Sequence, residues 1–281
     1  MNRLKRLAVL LLAAALLLTG CAGDVTETAP ASAEGSDLEV HFFDAGAADA
    51  ILLTTENSAV LIDTGEKGFG KTILAYLEEK RIEQIDYLII THFDKDHVGG
   101  AAKVLNSIPV GKVLQSNQPK DSDEYENYVE ALVNAGVNPV TVRETYVFTV
   151  DGVSYTVDPP RQTEYDEDSS NNSSLIVSVQ HGKNRFLFAG DAQTLRLSEF
   201  LDTNTTSFDV LKLPHHGRDE PLLDDLLAST KPTYAVITSS EEEPESDTVV
   251  GALEKAGIRV LLTRNQSVTL YSDGNIISIK E

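Results

Sequence analysis

From residue 37 onward the chain is a succession of short apolar runs broken by turn residues. Runs at 38–43, 50–55, 58–63 and 86–90 have the length and the β-branched content of strands. Between the last two, GKTILAYLEEK (70–80) spaces its apolar residues as a helix does. The glycine pair at 99–100 opens onto a helical AAKVLNS stretch. A strand at 111–116, a helix near 122–135 and strands near 138–149 and 152–158 follow. Residues 159–172 carry no periodic signal and predict an acidic loop. Strands at 173–180 and 184–190, a helix at 192–202, a strand at 207–213 and a helix at 221–229 come next. The tail predicts a strand at 233–238, a helix at 246–256 and strands at 258–262, 265–271 and 275–280. Two β-rich series, each with its own helices, predict one α/β domain over 37–281. Its two sheets would pack face to face with helices on the outer faces, an αββα sandwich.

The start of the chain has a different grammar. MNRLKR is basic, LAVLLLAAALLL is apolar, and LTGC closes the run, the pattern of a secretory signal peptide over 1–20. LTGC also resembles a bacterial lipobox, which implies cleavage before Cys21 and lipidation of its thiol. Cys21 is the only cysteine, so the chain forms no internal disulfide. Residues 21–36 are small and polar and read as a flexible tether. No other run is long enough to span a bilayer. The expected location is the outer face of a cell membrane, extracellular or periplasmic, with the lipid as the only membrane contact and no protein partner.

Charge narrows the partners. The net charge is −21, and removal of Arg3, Lys5 and Arg6 with the leader makes it more negative by three. Such a surface disfavours non-specific nucleic-acid binding and docking on anionic headgroups. Bound cations could still draw in a phosphate locally.

The candidate chemistry sits at the ends of apolar runs. Four of the six histidines fall in THFDKDHVGG (91–100) and PHHG (214–217). Between them FLFAGD delivers Asp191. His92, Asp94, Asp96 and His97 can turn toward one point only from a loop, and carboxylates that close need a cation among them. Asp191 alone could instead cap the helix after it. His215 and His216 are adjacent, and either one could ligate a metal while the other protonates a leaving group. His41, inside VHFF, reads as a strand histidine with a backbone partner, and His181 as a solvated turn residue. Imidazoles and carboxylates gathered at strand ends suit a pair of divalent metals and a hydrolase that uses metal-bound hydroxide.

These residues resemble the metallo-β-lactamase fold family. THFDKDHVGG is similar to its His-x-His-x-Asp-His signature, with Asp94 in place of the second histidine. VHFFDAGAADAILL with AVLIDTG looks like the opening strands, and NNSSLIVSV to RFLFAGD like the segment that carries a bridging aspartate. DVLKLPHHG looks like the terminal histidine strand. The subgroup it resembles is the extracellular hydrolase domain of the ComEC competence protein, over about 38–272. The resemblance implies two metals, zinc or manganese. His92 and Asp94 would hold one, Asp96, His97 and a histidine of the 215–216 pair the other, with Asp191 between them. Asp96, His215 and His216 would share the catalytic work, and Asp63 would orient the ligands from behind. Three departures stand out: Ala47 and Ala48 before Asp49, Asn171 and Asn172 where many relatives carry a histidine, and Arg218 after HHG.

The expected function is hydrolysis of phosphodiesters, in nucleic acid or in a cell-envelope polymer. Two other functions compete with it. One is a lipid-anchored binding module with a degenerate or structural metal site. The other is a hydrolase of β-lactams or other esters and amides, from which Asp94 and the HHG ending point away.

Overall fold

A computed structural model describes residues 37–280. The predicted signal peptide, Cys21 and the tether lie outside the described residues. The first strands are β1 (Leu38–Phe42), β2 (Ile51–Thr54) and β3 (Ala59–Ile62). Helix α1 (Gly70–Glu79), β4 (Ile85–Ile90), α2 (Lys95–Val98), α3 (Ala101–Leu105), β5 (Val110–Gln115) and α4 (Asp123–Ala135) follow. Next come β6 (Val140–Thr141), β7 (Tyr146–Val150), β8 (Val153–Asp158), α5 (Ser169–Asn172), β9 (Ile176–His181), β10 (Asn184–Phe188) and α6 (Thr194–Leu201). The chain closes with β11 (Val210–Lys212), α7 (Leu223–Thr230), β12 (Tyr234–Ile237), α8 (Asp247–Lys255), β13 (Arg259–Leu262), β14 (Val268–Ser272) and β15 (Ile277–Lys280).

The strands form two sheets, ordered β15-β14-β1-β2-β3-β4-β5-β6 and β13-β12-β11-β10-β9-β8-β7. The apolar run at 138–149 is therefore two strands, not one. Thr141 pairs in parallel with Gln115 of the first sheet, whereas Tyr146 pairs antiparallel with Val157 of the second. The polar residues Arg143, Glu144 and Thr145 between them carry the chain from sheet to sheet. The last hairpin returns to the first sheet, where β14 flanks β1.

Three apolar layers hold the αββα stack, because both faces of each sheet are covered. Val40, Phe42, Leu53 and Ile62 of the first sheet meet Val157, Val177, Phe186 and Val210 of the second. Ile73, Leu77, Val104, Tyr128 and Leu132 seal the outer face of the first sheet. Leu197, Phe200, Leu226, Val249 and Leu253 do so for the second. Ser122 caps α4 by accepting from Tyr125 N, and Gly136 ends it in the left-handed region at φ 67°.

The loops at one edge of the sandwich are tied to one another. Thr64 N donates to His97 O at 2.8 Å, Asp49 N to Asp96 O at 3.1 Å, and Leu175 N to Thr91 O at 2.9 Å, the last joining the two sheets. Gly100 is needed for this closeness. A Cβ there would stand 2.3 Å from Thr64 O. Among the described residues no helix is long and apolar enough to cross a membrane.

Candidate metal centre

Strand ends of both sheets deliver the site. β3 hands over to Asp63, β4 to Thr91 through His97, β10 to Asp191 and β11 to the PHHG turn; β1 and β2 flank the loop with Asp49. The PHHG segment (Pro214–Gly217) is a tight turn and not a continuation of the strand. His215 and His216 have φ of 48° and 55° there, and Asp63 has φ of 56°. Left-handed backbone at non-glycine residues costs of the order of 1–3 kcal/mol each and persists where the surroundings enforce it. Here it aims His216 inward.

Each inward imidazole is fixed by its Nδ1. The buried Asp63 carboxylate accepts from Thr91 N at 2.8 Å and Thr91 Oγ1 at 2.6 Å, and lies 2.8 Å from His97 Nδ1. A carboxylate only accepts, so His97 Nδ1 carries the proton. Thr238 Oγ1 donates to Asp49 Oδ1 at 2.7 Å and so accepts from His216 Nδ1 at 2.9 Å. Thr91 Oγ1, its proton committed to Asp63, accepts from His92 Nδ1 at 3.2 Å. All three rings therefore present Nε2 lone pairs inward.

Those lone pairs converge on Asp191. His216, His97 and His92 Nε2 lie 3.1, 3.2 and 4.0 Å from its Oδ2, and Asp96 Oδ2 is 3.3 Å from His216 Nε2. None of the three Nε2 atoms, nor Asp191 Oδ1, has a hydrogen-bond partner, although all are buried. Ligand atoms of Asp96, His97, Asp191 and His216 lie within 4.8 Å of one another. Orphaned buried nitrogens facing carboxylates are costly unless a cation takes them up, and nitrogen with oxygen donors suits a divalent metal. The residues present thus fit such an ion. A second convergent set, Asp49, Asp63 and His97, has its oxygens already engaged by Lys212, Thr238 and Thr91.

The site's electrostatics favour a cation. Burial opposes charge on His97, yet Asp191, Asp63 and Asp96 raise it well above the usual imidazole range. Burial likewise opposes charge on His216, but Asp191 and Asp96 push it up to about 9. Burial would raise Asp191 and Asp96, and the neighbouring imidazoles instead hold both well below the carboxylate range. Burial, with His97 close by, lowers His92.

Two predicted residues stand apart from this convergence. Asp94 Oδ1 is 3.9 Å from His92 Nε2, but it accepts from Lys120 Nζ at 2.5 Å and closely from Ser170 Oγ. His215 lies beside the cluster, its Nδ1 3.1 Å from Gln193 Nε2. An amide nitrogen only donates, so the His215 proton sits on Nε2. Asp191 makes no cap bond, and α6 starts at Thr194 behind Gln193.

Four residues to which the sequence assigned no role in the site also build it. Asp49 is buried and paired with Lys212, whose Nζ donates to Gly190 O at 3.1 Å. Ser174 Oγ accepts from Asp191 N at 3.1 Å and sits 3.4 Å from His92 Nδ1. Thr238 completes the set. A lysine inside an apolar run, FDVLKL, was the available signal, since a buried ammonium demands a buried carboxylate. Of the departures, Asn172 faces α6, where its Oδ1 accepts from Arg196 N, and Arg218 pairs with Glu243. His181 is buried, not solvated, with Nδ1 2.8 Å from Ser272 Oγ. His41 finds a side-chain partner, Thr269 Oγ1 at 2.8 Å, and stacks on Tyr76.

An αββα sandwich with a cation-ready cluster on the seam of its sheets defines a class. The chain belongs to the metallo-beta-lactamase superfamily, whose family model matches residues 43–239. It is 29% identical over 265 residues to ComE operon protein 3 of Bacillus subtilis (strain 168), covering 84% of this chain and 33% of that protein. It is 27% identical over 211 residues to Recombination protein 2 of Haemophilus influenzae, covering 73% of this chain and 25% of that protein. Competence protein ComA of Neisseria gonorrhoeae is 26% identical over 256 residues, covering 89% and 34%. The chain thus spans about a third or less of the relatives it matches. Among solved structures, the metallo-beta-lactamase fold protein YhfI of Bacillus subtilis aligns with a TM-score of 0.55 at 12% identity, over 84% of this chain and all of that one. CmlA, a diiron beta-hydroxylase from Streptomyces venezuelae, aligns with a TM-score of 0.57 at 16% identity, over 84% and 54%. These likenesses concern the fold.

Proposed function

We propose that the chain is a metal-dependent phosphodiester hydrolase, held outside the cytoplasm by a lipid on Cys21. The observation that carries the reading is the convergence of three buried, unpartnered imidazole nitrogens on Asp191. Asp96, His97, Asp191 and His216 would hold a zinc or manganese ion, with His92 and Asp94 beside them for a second. A bound divalent ion lowers the pKa of water and takes up charge on the oxygens of the scissile bond.

The chain's own residues prepare that chemistry. Asp63 and Thr238 fix the tautomers of His97 and His216, so no reorganisation is needed when the ion is held. Lys212 neutralises Asp49 inside the fold and keeps that carboxylate turned to Thr238. His215 is half-buried, and burial first of all keeps it below the usual imidazole range; its neutral ring can donate a hydrogen bond from Nε2 to an oxygen of the substrate. Carboxylate-rich donors are harder than an all-histidine set and admit manganese as well as zinc, and such ions suit phosphoryl oxygens. Relatives named for competence and recombination make nucleic acid the first substrate to test. Fold neighbours of other chemistries carry no weight here, because reactions follow sites and not folds.

The test is turnover of bis(p-nitrophenyl) phosphate and of nitrocefin by the purified protein with manganese or zinc chloride. Chelator-sensitive cleavage of the phosphodiester is expected, with palmitate label on Cys21 when the producing cells are fed it. Opening of nitrocefin alone would reverse the assignment of substrate. Inactivity on both, with substrate binding insensitive to chelator, would make the chain a binding module.

A further inference from the structure

Asp94 occupies the place where the fold pattern puts a metal ligand, yet its charge is already answered from within the chain. Its Oδ1 is the oxygen that faces His92 Nε2 at 3.9 Å. The same Oδ1 accepts from Lys120 Nζ at 2.5 Å and from Ser170 Oγ. Neither His92 nor Asp94 enters a convergent ligand set among the described residues.

Lys120 is placed by structure, not by chance on a free surface. Its loop, between β5 and α4, is tied to the loop after β8. Ser116 Oγ donates to Ser173 O at 2.6 Å, Gln118 Nε2 to Ser169 Oγ at 2.6 Å, and Asn117 Nδ2 to Gln162 O at 3.3 Å. Lys120 Nζ also reaches Ser170 Oγ at 3.4 Å. Two loops, one from each sheet, thus hold an ammonium against the oxygen that a second ion would need.

We infer that Lys120 is a built-in cation of the site: it competes with a second metal ion for Asp94, so the ion at Asp96, His97, Asp191 and His216 is held tightly and any ion at His92 and Asp94 weakly. An ammonium neutralises a carboxylate as an ion would, but supplies no empty orbital to the neighbouring imidazole. His92 Nε2 therefore stays unpartnered while Lys120 is in place. A lysine on a half-exposed loop can also leave, which makes the second seat conditional on the cation that claims Asp94.

The inference rests on the metal-holding reading above. Its test is calorimetric titration of the purified full chain with manganese or zinc chloride, with bound metal counted by elemental analysis after dialysis. The wild type is expected to take up one ion tightly and a second more weakly. Lys120→Met should tighten the second by about tenfold or more and leave the first in place. Lys120→Arg, which keeps the charge, should behave as wild type and separates a charge effect from a disturbed loop. Two ions of equal affinity in the wild type, or a second affinity unchanged in Lys120→Met, would overturn the inference and leave the metal-holding reading standing. A wild type that binds no ion would overturn both.

Discussion

Two buried charged groups lie within one serine of each other, and they are built on opposite principles. On the α6 side, Arg196 is 1% exposed and each guanidinium nitrogen has a partner. Its Nε donates to Ser174 O at 3.0 Å, one terminal nitrogen to Asp158 O and Oδ2 at 2.8 and 2.6 Å, and the other lies 3.5 Å from Glu199 Oε2. Glu199 in turn accepts from Arg161 N and Tyr165 OH, each at 3.0 Å. That group pins the acidic 159–172 loop to α6. On the other side of Ser174, whose Oγ accepts from Asp191 N, the metal-site residues leave three nitrogens and one oxygen unspent. Buried charge alone therefore does not mark a site. Buried charge with unspent capacity does.

The largest expected effect tests the structural member of this pair. Arg196→Met leaves Glu199 and Asp158 without their cation and should cost about 3–5 kcal/mol of stability, read from denaturant midpoints. The variant that remains folded should keep its metal. Loss of the metal with stability intact would erase the distinction between the two groups.

The next effect belongs to the metal site. In the chelated protein His216 stands at about 9, above its ordinary 6.5. A raised imidazole contributes its full stability below about pH 6.5 and loses it as pH climbs through about 9. The metal-free protein should therefore weaken by about 3 kcal/mol across that window, and Arg196→Met should show the same slope. A flat profile in chelator would mean that the imidazole is not gripped by Asp191 as described.

The smallest effect sharpens the boundary between ligand and support. Asp63→Asn replaces an acceptor by an amide that can turn a donor toward His97 Nδ1. Metal affinity should fall about 10–100-fold in the protein that stays folded, as titration would report, with some loss of stability from the buried hydrogen bonds that Asp63 accepts. An unchanged affinity would make the Asp63 contact incidental.

Most of the architecture could be read from the pattern of apolar residues, because strands covered on both faces must be apolar throughout. Val210–Lys212 is the instructive exception: the run predicted the strand, and the lysine within it signalled a buried carboxylate partner without naming Asp49. The run at 138–149 hid a crossing between sheets, since apolar strands look alike in either sheet. At the site, residue types and spacing located the strand ends, but could not rank His215 against His216. That choice is made by left-handed backbone in the PHHG turn, which periodicity does not encode. Asp94 shows a related limit: a motif names a ligand position, but not the ion pair that this carboxylate makes with a lysine 26 residues away in the chain.

The seam has one more consequence. Asp96 and His97 hang from one sheet and Asp191 and His216 from the other, so an ion between them would be a rivet through both plates of the molecule. Prising the plates apart must first empty the hole. At a hundredfold excess over its dissociation constant, such a rivet adds about 2.7 kcal/mol against unfolding. Scarcity of the ion would then be felt as fragility of the whole protein, and not only as idleness of its chemistry.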